Sequence, residues 1–341
     1  DTPYNIYGGL QDNGTWKGSS RSTPNREQPW ERLYGGDGMH VNPHPENSDI
    51  VYVGFQYGNY VRRDLSDGSS YRITPRHEVG EDRYRYNWNT PVELSHHNPD
   101  IVYFGSQRLN RSFDEGKSWK AISPDLSYNL PNGDVPFSTI TTIAESPLSF
   151  EIIWIGTDDG KVQRTSDGGA TWVDVSEGLP AYRWISEVHA SSHDPSTAYV
   201  SLNGYRFDEF VTYVYKTTDF GETWVSVKGN LPDDVVNIVI QDPIQPQILY
   251  AGLDHGSYIS LNDGKEWHLL NNIPNVASYD MVVHPRDLEL VVATHGRSMY
   301  VLDVTAFHEL VPRINESTTL FSLSDMRYSS RWGAQSVDYR D

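Results

Sequence analysis

Five aspartates of this 341-residue chain have the chemistry to act in pairs. Hydrolysis of a glycosidic bond uses two carboxyl groups that flank the bond, about 5.5 Å or about 6.5–9.5 Å apart. The candidates in short polar segments are Asp12, Asp37, Asp158, Asp159 and Asp254. We retain Asp12 and Asp37 as catalytic candidates, although each stands beside Gly or Asn, which favours a structural role in a turn. The Asp-Asp-Gly string at 158–160 is typical of a hairpin turn.

A second set of residues combines aromatic rings with planar hydrogen-bonding side chains. This mixture suits a glycan or a peptide backbone, and we expect it to surround one concavity. Its members are Gln56, Trp88, Arg108, Trp184, Tyr205, Arg206, His295 and Arg297. For Trp88 and Trp184 a place in the hydrophobic core is the alternative interpretation.

The sequence gives little support for a metal site, a cofactor, nucleic-acid binding or a membrane span. The chain has no cysteine, and its 12 histidines form no His-Glu-x-x-His motif, so we expect no metal site and no cofactor. Structural calcium at an acidic loop such as 233–234 stays open as an alternative. A net charge of −19 opposes binding to nucleic acid, and no apolar run is long enough to predict a membrane span.

The segments that must position these residues recur along the chain. An apolar triplet closed by a small residue appears six times, at intervals of 42–51 residues. The six copies are 51–54, 102–105, 153–156, 198–201, 249–252 and 291–294. Each lies among short strands and Gly- or Pro-containing turns, which predicts four strands per repeat and a β-propeller.

An eight-residue motif follows several of the triplets. Three good copies span 112–119, 165–172 and 217–224, and a weaker copy spans 260–267. In each, a Ser or Thr hydroxyl and an Asp carboxylate can accept turn N–H groups, Gly supplies a positive φ, and Trp covers the turn. We therefore assign a structural role to Asp114, Asp167, Asp219 and Asp263.

This octet resembles the Asp-box, or BNR repeat, of sialidases, sortilin-type Vps10 domains and xyloglucanase-like glycoside hydrolases. Further strings, including Tyr7–Trp16, Gly35–Gly38 and Thr294–Ser298, are similar to large bacterial Vps10-like proteins that are often labelled glycosyl hydrolase. The resemblance covers residues 1–305. It implies a bacterial protein exported to the cell envelope or the extracellular space, and a longer polypeptide with more propeller before this segment.

The strand pattern predicts an all-β fold with seven blades over residues 1–305. Blade 1 lacks an inner strand and blade 7 lacks an outer strand, so both are incomplete within this chain. Because an unfilled inner position leaves backbone groups without partners, we expect an upstream propeller or a partner chain to complete blade 1. Residues 306–341 show no blade pattern and are expected to be an extension or the start of a further module.

Two classes of function agree with these features. One is an exported, non-catalytic propeller that binds protein or glycan through its loop face within a larger assembly. The other is a glycoside hydrolase of the xyloglucanase type, in which two propellers form a cleft and each supplies one carboxylate. The best-preserved motifs are structural, so the sequence favours the binding module.

Overall fold

The computed structural model describes residues 2–22, 30–131 and 133–322 and has seven antiparallel sheets arranged in a ring. The fold is therefore a seven-bladed β-propeller, and it is nearly all β. Five described sheets have four strands, while the first and the last have three.

The strands follow one another in chain order within each blade. Blade 1 contains β1 (Asn5–Leu10), β2 (Gly14–Ser19) and β3 (Trp30–Tyr34). Blade 2 contains β4 (Asn42–Pro43), β5 (Ile50–Phe55), β6 (Asn59–Asp64) and β7 (Ser70–Arg72). Blade 3 contains β8 (Val92–Leu94), β9 (Val102–Gly105), β10 (Leu109–Ser112) and β11 (Lys120–Ala121). Blade 4 contains β12 (Ile140–Glu145), β13 (Ile153–Thr157), β14 (Val162–Thr165) and β15 (Val173–Asp174).

The remaining blades repeat this order. Blade 5 contains β16 (Trp184–Ala190), β17 (Ala198–Gly204), β18 (Glu209–Thr217) and β19 (Val225–Ser226). Blade 6 contains β20 (Val236–Gln241), β21 (Leu249–Leu253), β22 (Gly256–Ser260) and β23 (His268–Leu269). Blade 7 contains β24 (Ser278–His284), β25 (Glu289–Thr294) and β26 (Met299–Asp303).

The apolar triplets form the second strand of blades 2 to 7, and burial explains their composition. Every residue of β9, β13, β17 and β21 is buried, because these strands are covered by neighbouring blades on both faces. A strand covered on both faces has an almost continuous apolar sequence. The outer strands β15, β19 and β23 are exposed, so they carry no such pattern.

The octets form the hairpin turns between the third and fourth strands. In blade 4, the Asp167 carboxylate accepts the Thr171 N–H at 2.8 Å and the hydroxyls of Thr171 and Thr165 at 2.6 and 2.8 Å. The Thr165 hydroxyl in turn accepts the Gly169 N–H at 2.9 Å. The Thr171 hydrogen bonds are the main reason that the pKa of Asp167 falls to about 2.

Asp114 and Asp219 accept the same hydrogen bonds in blades 3 and 5. The fourth copy corrects our assignment of Asp263. There Asn262 accepts the Glu266 N–H at 2.9 Å and the Ser260 hydroxyl at 3.0 Å. An amide oxygen replaces the carboxylate, because Asn262 lies two residues after the hydroxyl and Asp263 lies three residues after it.

Blades 1 and 7 close the ring by side-chain packing. The Tyr4 ring stacks on His284 at 4.1 Å between centroids, and its hydroxyl donates to Glu289 at 2.7 Å. Glu289 also pairs with Arg21 at 3.0 Å. Among the described residues, β1 pairs only with β2, so its inner edge has no strand beside it.

The residues after blade 7 begin with a short helix, α1 (Thr305–Leu310). Val304 and Val311 are buried in the core between blades 6 and 7. His308 reaches Asp242 at 3.0 Å, and both side chains are buried. This part of the extension therefore packs on the propeller. No helix in the described ranges is long and apolar enough to cross a membrane.

Candidate binding face

The loops opposite the octet turns gather on one side of the ring, which we call the wide face. They join the second to the third strand of a blade, or one blade to the next. The described loops of the wide face are 11–13, 35–41, 56–58, 73–91, 106–108, 122–131, 133–139, 158–161, 175–183, 205–208, 227–235, 254–255, 270–277 and 295–298. Neighbouring loops contact one another, as in the hydrogen bond from the Tyr57 N–H to the Trp88 carbonyl at 3.1 Å.

An aromatic and cationic stack lies at the wide end of blade 5. The Arg206 guanidinium lies 3.9 Å from the ring centroid of Trp184 and 4.4 Å from that of Tyr205. Trp184 begins β16, and its register places it opposite Asn203 at the end of β17. Tyr205–Phe207 forms one 3-10 turn, which brings Arg206 back over the ring. Such contacts hold the guanidinium plane by cation–π attraction.

Two polar groups of this stack have no hydrogen-bond partner in the part of the chain that the structure describes. The Arg206 guanidinium forms no hydrogen bond or ion pair there. Asn203 is 5% exposed, and its side-chain oxygen Oδ1 accepts no hydrogen bond. An unpaired buried acceptor is costly, so Asn203 is a destabilising position beneath the stack.

Residues of three blades affect the pKa of Arg206. Burial against the rings lowers the pKa of Arg206, and the nearby Tyr205, Asp158 and Tyr279 oppose this shift. Tyr279 lies at the start of β24 and is 54% exposed, and its ring packs against His295 with centroids 5.5 Å apart. Tyr279 and His295 thus form a second aromatic pair, on blade 7, and Tyr279 lies near enough to Arg206 to interact with it electrostatically.

The eight residues predicted to bind separate into groups. Trp184, Tyr205 and Arg206 form the stack. His295 packs on Tyr279 of blade 7, and Arg297 is exposed in the loop of His295.

Gln56, Trp88 and Arg108 have other surroundings. The Gln56 side chain accepts the Asp37 N–H at 3.3 Å, and Trp88 is 41% exposed with Tyr57 packed edge-on at 5.3 Å. Arg108 instead lines a groove on the outer flank of blade 3. Of the two tryptophans, Trp88 is thus at the surface, while Trp184 is half-buried beneath Arg206.

The two catalytic candidates meet in a turn contact. Asp37 is buried, and its carboxylate accepts the Asp12 N–H at 2.8 Å. Asp12 is exposed and has a φ of 64°, a left-handed conformation that Asp tolerates in turns. Asp37 therefore holds the loop between β1 and β2 in place, as the turn interpretation implies.

Asp158 and Asp159 do more than form a hairpin turn. Asp158 is buried and accepts the Thr139 N–H and hydroxyl at 2.8 and 2.6 Å, together with the Asn87 amide at 3.2 Å. Asp159 is buried too and accepts the Tyr128 N–H at 2.8 Å. Burial raises the pKa of Asp158 to about 6. These carboxylates tie three wide-face loops together.

An acidic lining of the central channel was not predicted from the sequence. Glu93 of blade 3 interacts electrostatically with Glu187 of blade 5, and Glu187 with Asp280 of blade 7. All three lie on inner strands, which line the channel. Desolvation inside the channel, with repulsion from Asp280, raises the pKa of Glu187 to about 8, and desolvation raises that of Asp280 to about 6. An acidic residue within each of these inner strands is the available sequence signal.

Several of the carboxylates that could hold a metal ion have protein partners. His44, Asp100 and Glu115 bring ligand atoms within 4.8 Å of one another. However, Glu115 pairs with Arg62 at 2.6 Å and with Lys117 at 3.1 Å. At the acidic loop 233–234, one carboxylate pairs with Lys228 and the other with His255.

Compared by sequence, the chain matches no family model and no curated protein. Compared by structure, it is similar to other propellers. A GH74 xyloglucanase from Xanthomonas campestris has a TM-score of 0.62 and 17% identity over 87% of this chain and 50% of that chain. YCF48 bound to D1 peptide has a TM-score of 0.52 and 16% identity over 78% of this chain and 77% of that chain.

YCF48 from Cyanidioschyzon merolae has a TM-score of 0.58 and 13% identity, and covers 86% of this chain and 94% of that chain. The shared feature is the fold. The chain spans about half the length of the xyloglucanase. The finer resemblance to Vps10-type Asp-box proteins stays a prediction.

Proposed function

We propose that the chain is a non-catalytic binding module that holds a protein segment or a glycan on its wide face, at blades 5 to 7. The observation that carries this proposal is the Arg206 guanidinium stacked on Trp184 and Tyr205 without a hydrogen-bonding partner among the described residues. A guanidinium held flat on rings presents its N–H edge for a carbonyl or carboxylate oxygen.

A peptide is the ligand that these groups favour over a glycan. Large apolar side chains are exposed beside the stack, with Tyr205 at 42%, Phe207 at 60%, Phe210 at 56% and Tyr279 at 54%. Exposed rings beside an unpaired arginine suit a chain of amides with apolar side chains and an acidic group. YCF48, which shares the fold, has been solved with a peptide bound.

Hydrolysis of a polysaccharide is the second candidate function. Two observations favour it: the likeness to GH74 xyloglucanase, and the pKa of Asp158, which burial raises to about 6. An acid with a raised pKa suits proton donation to a leaving group. Against it, Asp158 already accepts three hydrogen bonds and Asp37 holds a turn. In this alternative a second propeller would supply the partner carboxylate.

The test is a parallel selection with the wild-type chain and the double variant Trp184→Ala/Arg206→Ala. A displayed library of random peptides and an array of plant and bacterial glycans are each exposed to both proteins. Exposed Val173 on the outer strand of blade 4 gives a control variant, Val173→Thr, that leaves the wide face unchanged.

We expect the wild type and the control to enrich the same peptides, and we expect the double variant not to enrich them. Ligands that survive the double variant would remove this surface as the binding site. Release of reducing sugar from xyloglucan, abolished by Asp158→Asn, would instead establish the hydrolase. Export to the cell envelope or the extracellular space remains an expectation from the resemblance alone.

A further inference from the structure

The inner edge of β1 in blade 1 is a backbone edge that can accept another strand. The Ser20 N–H donates to the Tyr4 carbonyl at 2.9 Å, immediately before the paired residues of β1 and β2. Residues of an antiparallel strand bond alternately to its two sides, so the N–H and carbonyl groups of Tyr7 and Gly9 point away from β2. No strand in the described ranges lies on that side of β1, so these groups are available to an extended ligand.

Blade 7 exposes apolar surface beside this edge, at a position that other blades bury. Val282 is the fifth residue of β24 and is 59% exposed, whereas the fifth residues of β12 and β20, Ala144 and Ile240, are each 8% exposed. Val282 pairs with Val291, which packs on Tyr4 of blade 1. Because directly opposite residues of paired strands share one face of the sheet, Val282 faces blade 1 and is left uncovered there.

Blade 2 exposes the opposite wall of the same gap. The first residue of the apolar triplet pairs with Pro43 in blade 2, with Glu145 in blade 4 and with Gln241 in blade 6. Glu145 and Gln241 are buried, but Pro43 is exposed. Its partner Val51 packs on Leu33 of blade 1, so Pro43 also faces blade 1. We call the gap between Val282 and Pro43, with the edge of β1 behind it, the strand slot.

The strand slot has an acidic wall. Asp280 lies two residues before Val282 on the same face of β24 and is exposed, although the third residues of β12 and β20, Thr142 and Ile238, are buried. Glu187 of blade 5 interacts with Asp280 electrostatically. The six inner strands that the structure describes contain no Lys or Arg. A basic side chain in the slot would therefore meet a carboxylate without a lysine or arginine beside it in those strands.

We propose that the strand slot binds an extended segment of a partner polypeptide, which pairs antiparallel with β1 and carries a basic residue two positions before a β-branched apolar residue. The inner strand of each other blade is antiparallel to the second strand, so the segment runs in the direction of β24. In that direction the basic side chain meets Asp280 and the apolar side chain meets Val282. Main-chain hydrogen bonds supply affinity in this mode of binding, and alternate side chains supply specificity.

The site does not depend on the function proposed for the stack at Arg206. Its test uses residues 1–341 and three fluorescein-labelled peptides. The basic peptide is Thr-Thr-Lys-Thr-Ile-Thr-Asn-Gly, and the acidic peptide has Glu in place of Lys. The shifted peptide, Thr-Lys-Thr-Thr-Ile-Thr-Asn-Gly, has the composition and charge of the basic one but places Lys and Ile on opposite faces of a strand. It therefore controls for attraction by the net charge of −19.

Fluorescence anisotropy measures affinity, and hydrogen exchange with mass spectrometry follows the amides of β1. We expect the basic peptide to bind at least about tenfold more tightly than the other two peptides and to slow exchange in β1. Equal affinities for the basic and the shifted peptide would overturn the proposal. Binding of the basic peptide that leaves exchange in β1 unchanged would overturn it as well.

Variants of the slot separate its two contacts. Asp280→Lys should reverse the preference between the basic and the acidic peptide, a result that a misfolded protein cannot give. Val282→Ser should weaken the basic peptide by about three- to tenfold, while the matched exposed control Val173→Ser should not.

Other occupants of the slot would also be recognised. Loss of peptide binding in Trp184→Ala/Arg206→Ala would place the peptide on the wide face and overturn the proposal. Dimers of the chain that persist in excess basic peptide, measured by light scattering, would show that a second copy fills the slot and would overturn it too.

Discussion

Glu93 and Glu187 lie on the inner strands of blades 3 and 5 and interact electrostatically in the central channel, although they are 94 positions apart in the chain. Burial disfavours the charged form of both carboxyl groups, so the pKa of each is raised. Repulsion adds to this, from Glu145 and Glu187 at Glu93 and from Asp280 at Glu187. Protonation of these carboxyl groups in the channel is therefore coupled to the folding of the chain.

Glu187 gives a prediction for the pH dependence of stability. Its pKa rises from a usual value of 4.5 to about 8 in the folded chain, so the folded state binds the proton more tightly than the unfolded state. This contribution to stability is fully present below pH 4.5 and is lost as the pH rises through 8. Glu187→Gln should therefore melt at a higher temperature than the wild type at pH 8–9. The measurement is the melting temperature from pH 4 to pH 9.

The exposed Glu177 on the wide-face loop of blade 4 provides the control. Glu177→Gln removes the same charge from a surface position with no described side-chain contact. It should leave the pH profile of the wild type unchanged. If the melting temperature of Glu187→Gln changes with pH in parallel with that of the wild type, this carboxyl group is hydrated and ionised in the folded chain.

The octet turns give a prediction for stability. Thr165 is buried, and its hydroxyl accepts two turn N–H groups while it donates to Asp167. Thr165→Val keeps the shape but leaves those donors unpaired, so unfolding free energy should fall by about 1–3 kcal/mol. Thr165→Ser retains the hydroxyl, so its unfolding free energy should fall much less. If the loss of unfolding free energy in urea for Thr165→Val does not exceed that for Thr165→Ser, the hydrogen bonds of this hydroxyl do not stabilise the turn.

The buried pair of His308 and Asp242 gives a prediction for the extension. Asp242 also accepts the Tyr250 hydroxyl and the N–H groups of Ile244 and Gln245, so removing His308 takes away the hydrogen bond that ties α1 to blade 6. His308→Ala should therefore loosen α1 and expose the bonds after Val304 to protease. His308→Gln can still donate to Asp242 and should stay resistant. Limited proteolysis with mass spectrometry measures this, and equal cleavage of both variants would contradict a role for the hydrogen bond.

Because the inner edge of blade 1 is open, we predict that residues 1–341 alone do not form a stable monomer. Side-chain packing of Tyr4 on His284 closes the ring, but no described strand covers β1 on its inner side. We expect the isolated chain to associate or to melt broadly until an extended segment from upstream or from a partner chain adds to β1. Light scattering and calorimetry test this. A 38.7 kDa monomer with one sharp transition would contradict it.

The fold was predictable because its signals are local. Each octet places a hydroxyl, a carboxylate and Gly within a few residues, and the hydrogen bonds of Asp167 join residues at most four apart. In the fourth octet Asn262, and not the predicted Asp263, stands two residues after the hydroxyl and accepts the turn hydrogen bonds. Asp263 instead pairs with Lys216 at 2.5 Å and accepts the Tyr199 hydroxyl at 3.0 Å.

The candidate sites were predictable only in part, because they depend on contacts between blades. Trp184 and Arg206 were found from composition, yet their stacking requires the register of β16 with β17 and the turn at Tyr205. Arg108 follows the same loop pattern but faces the outer groove. The electrostatic interaction of Glu93 with Glu187 follows from closure of the ring, which no local pattern specifies.

The most direct measurement is a calorimetric titration of the best peptide selected by the wild-type chain. The binding account predicts that Trp184→Ala/Arg206→Ala weakens its affinity at least about tenfold, because tryptophan and arginine are enriched among binding hot spots. Val173→Thr should bind like the wild type. An affinity that is the same for all three proteins would contradict the claim that the wide face at blades 5 to 7 is the binding site.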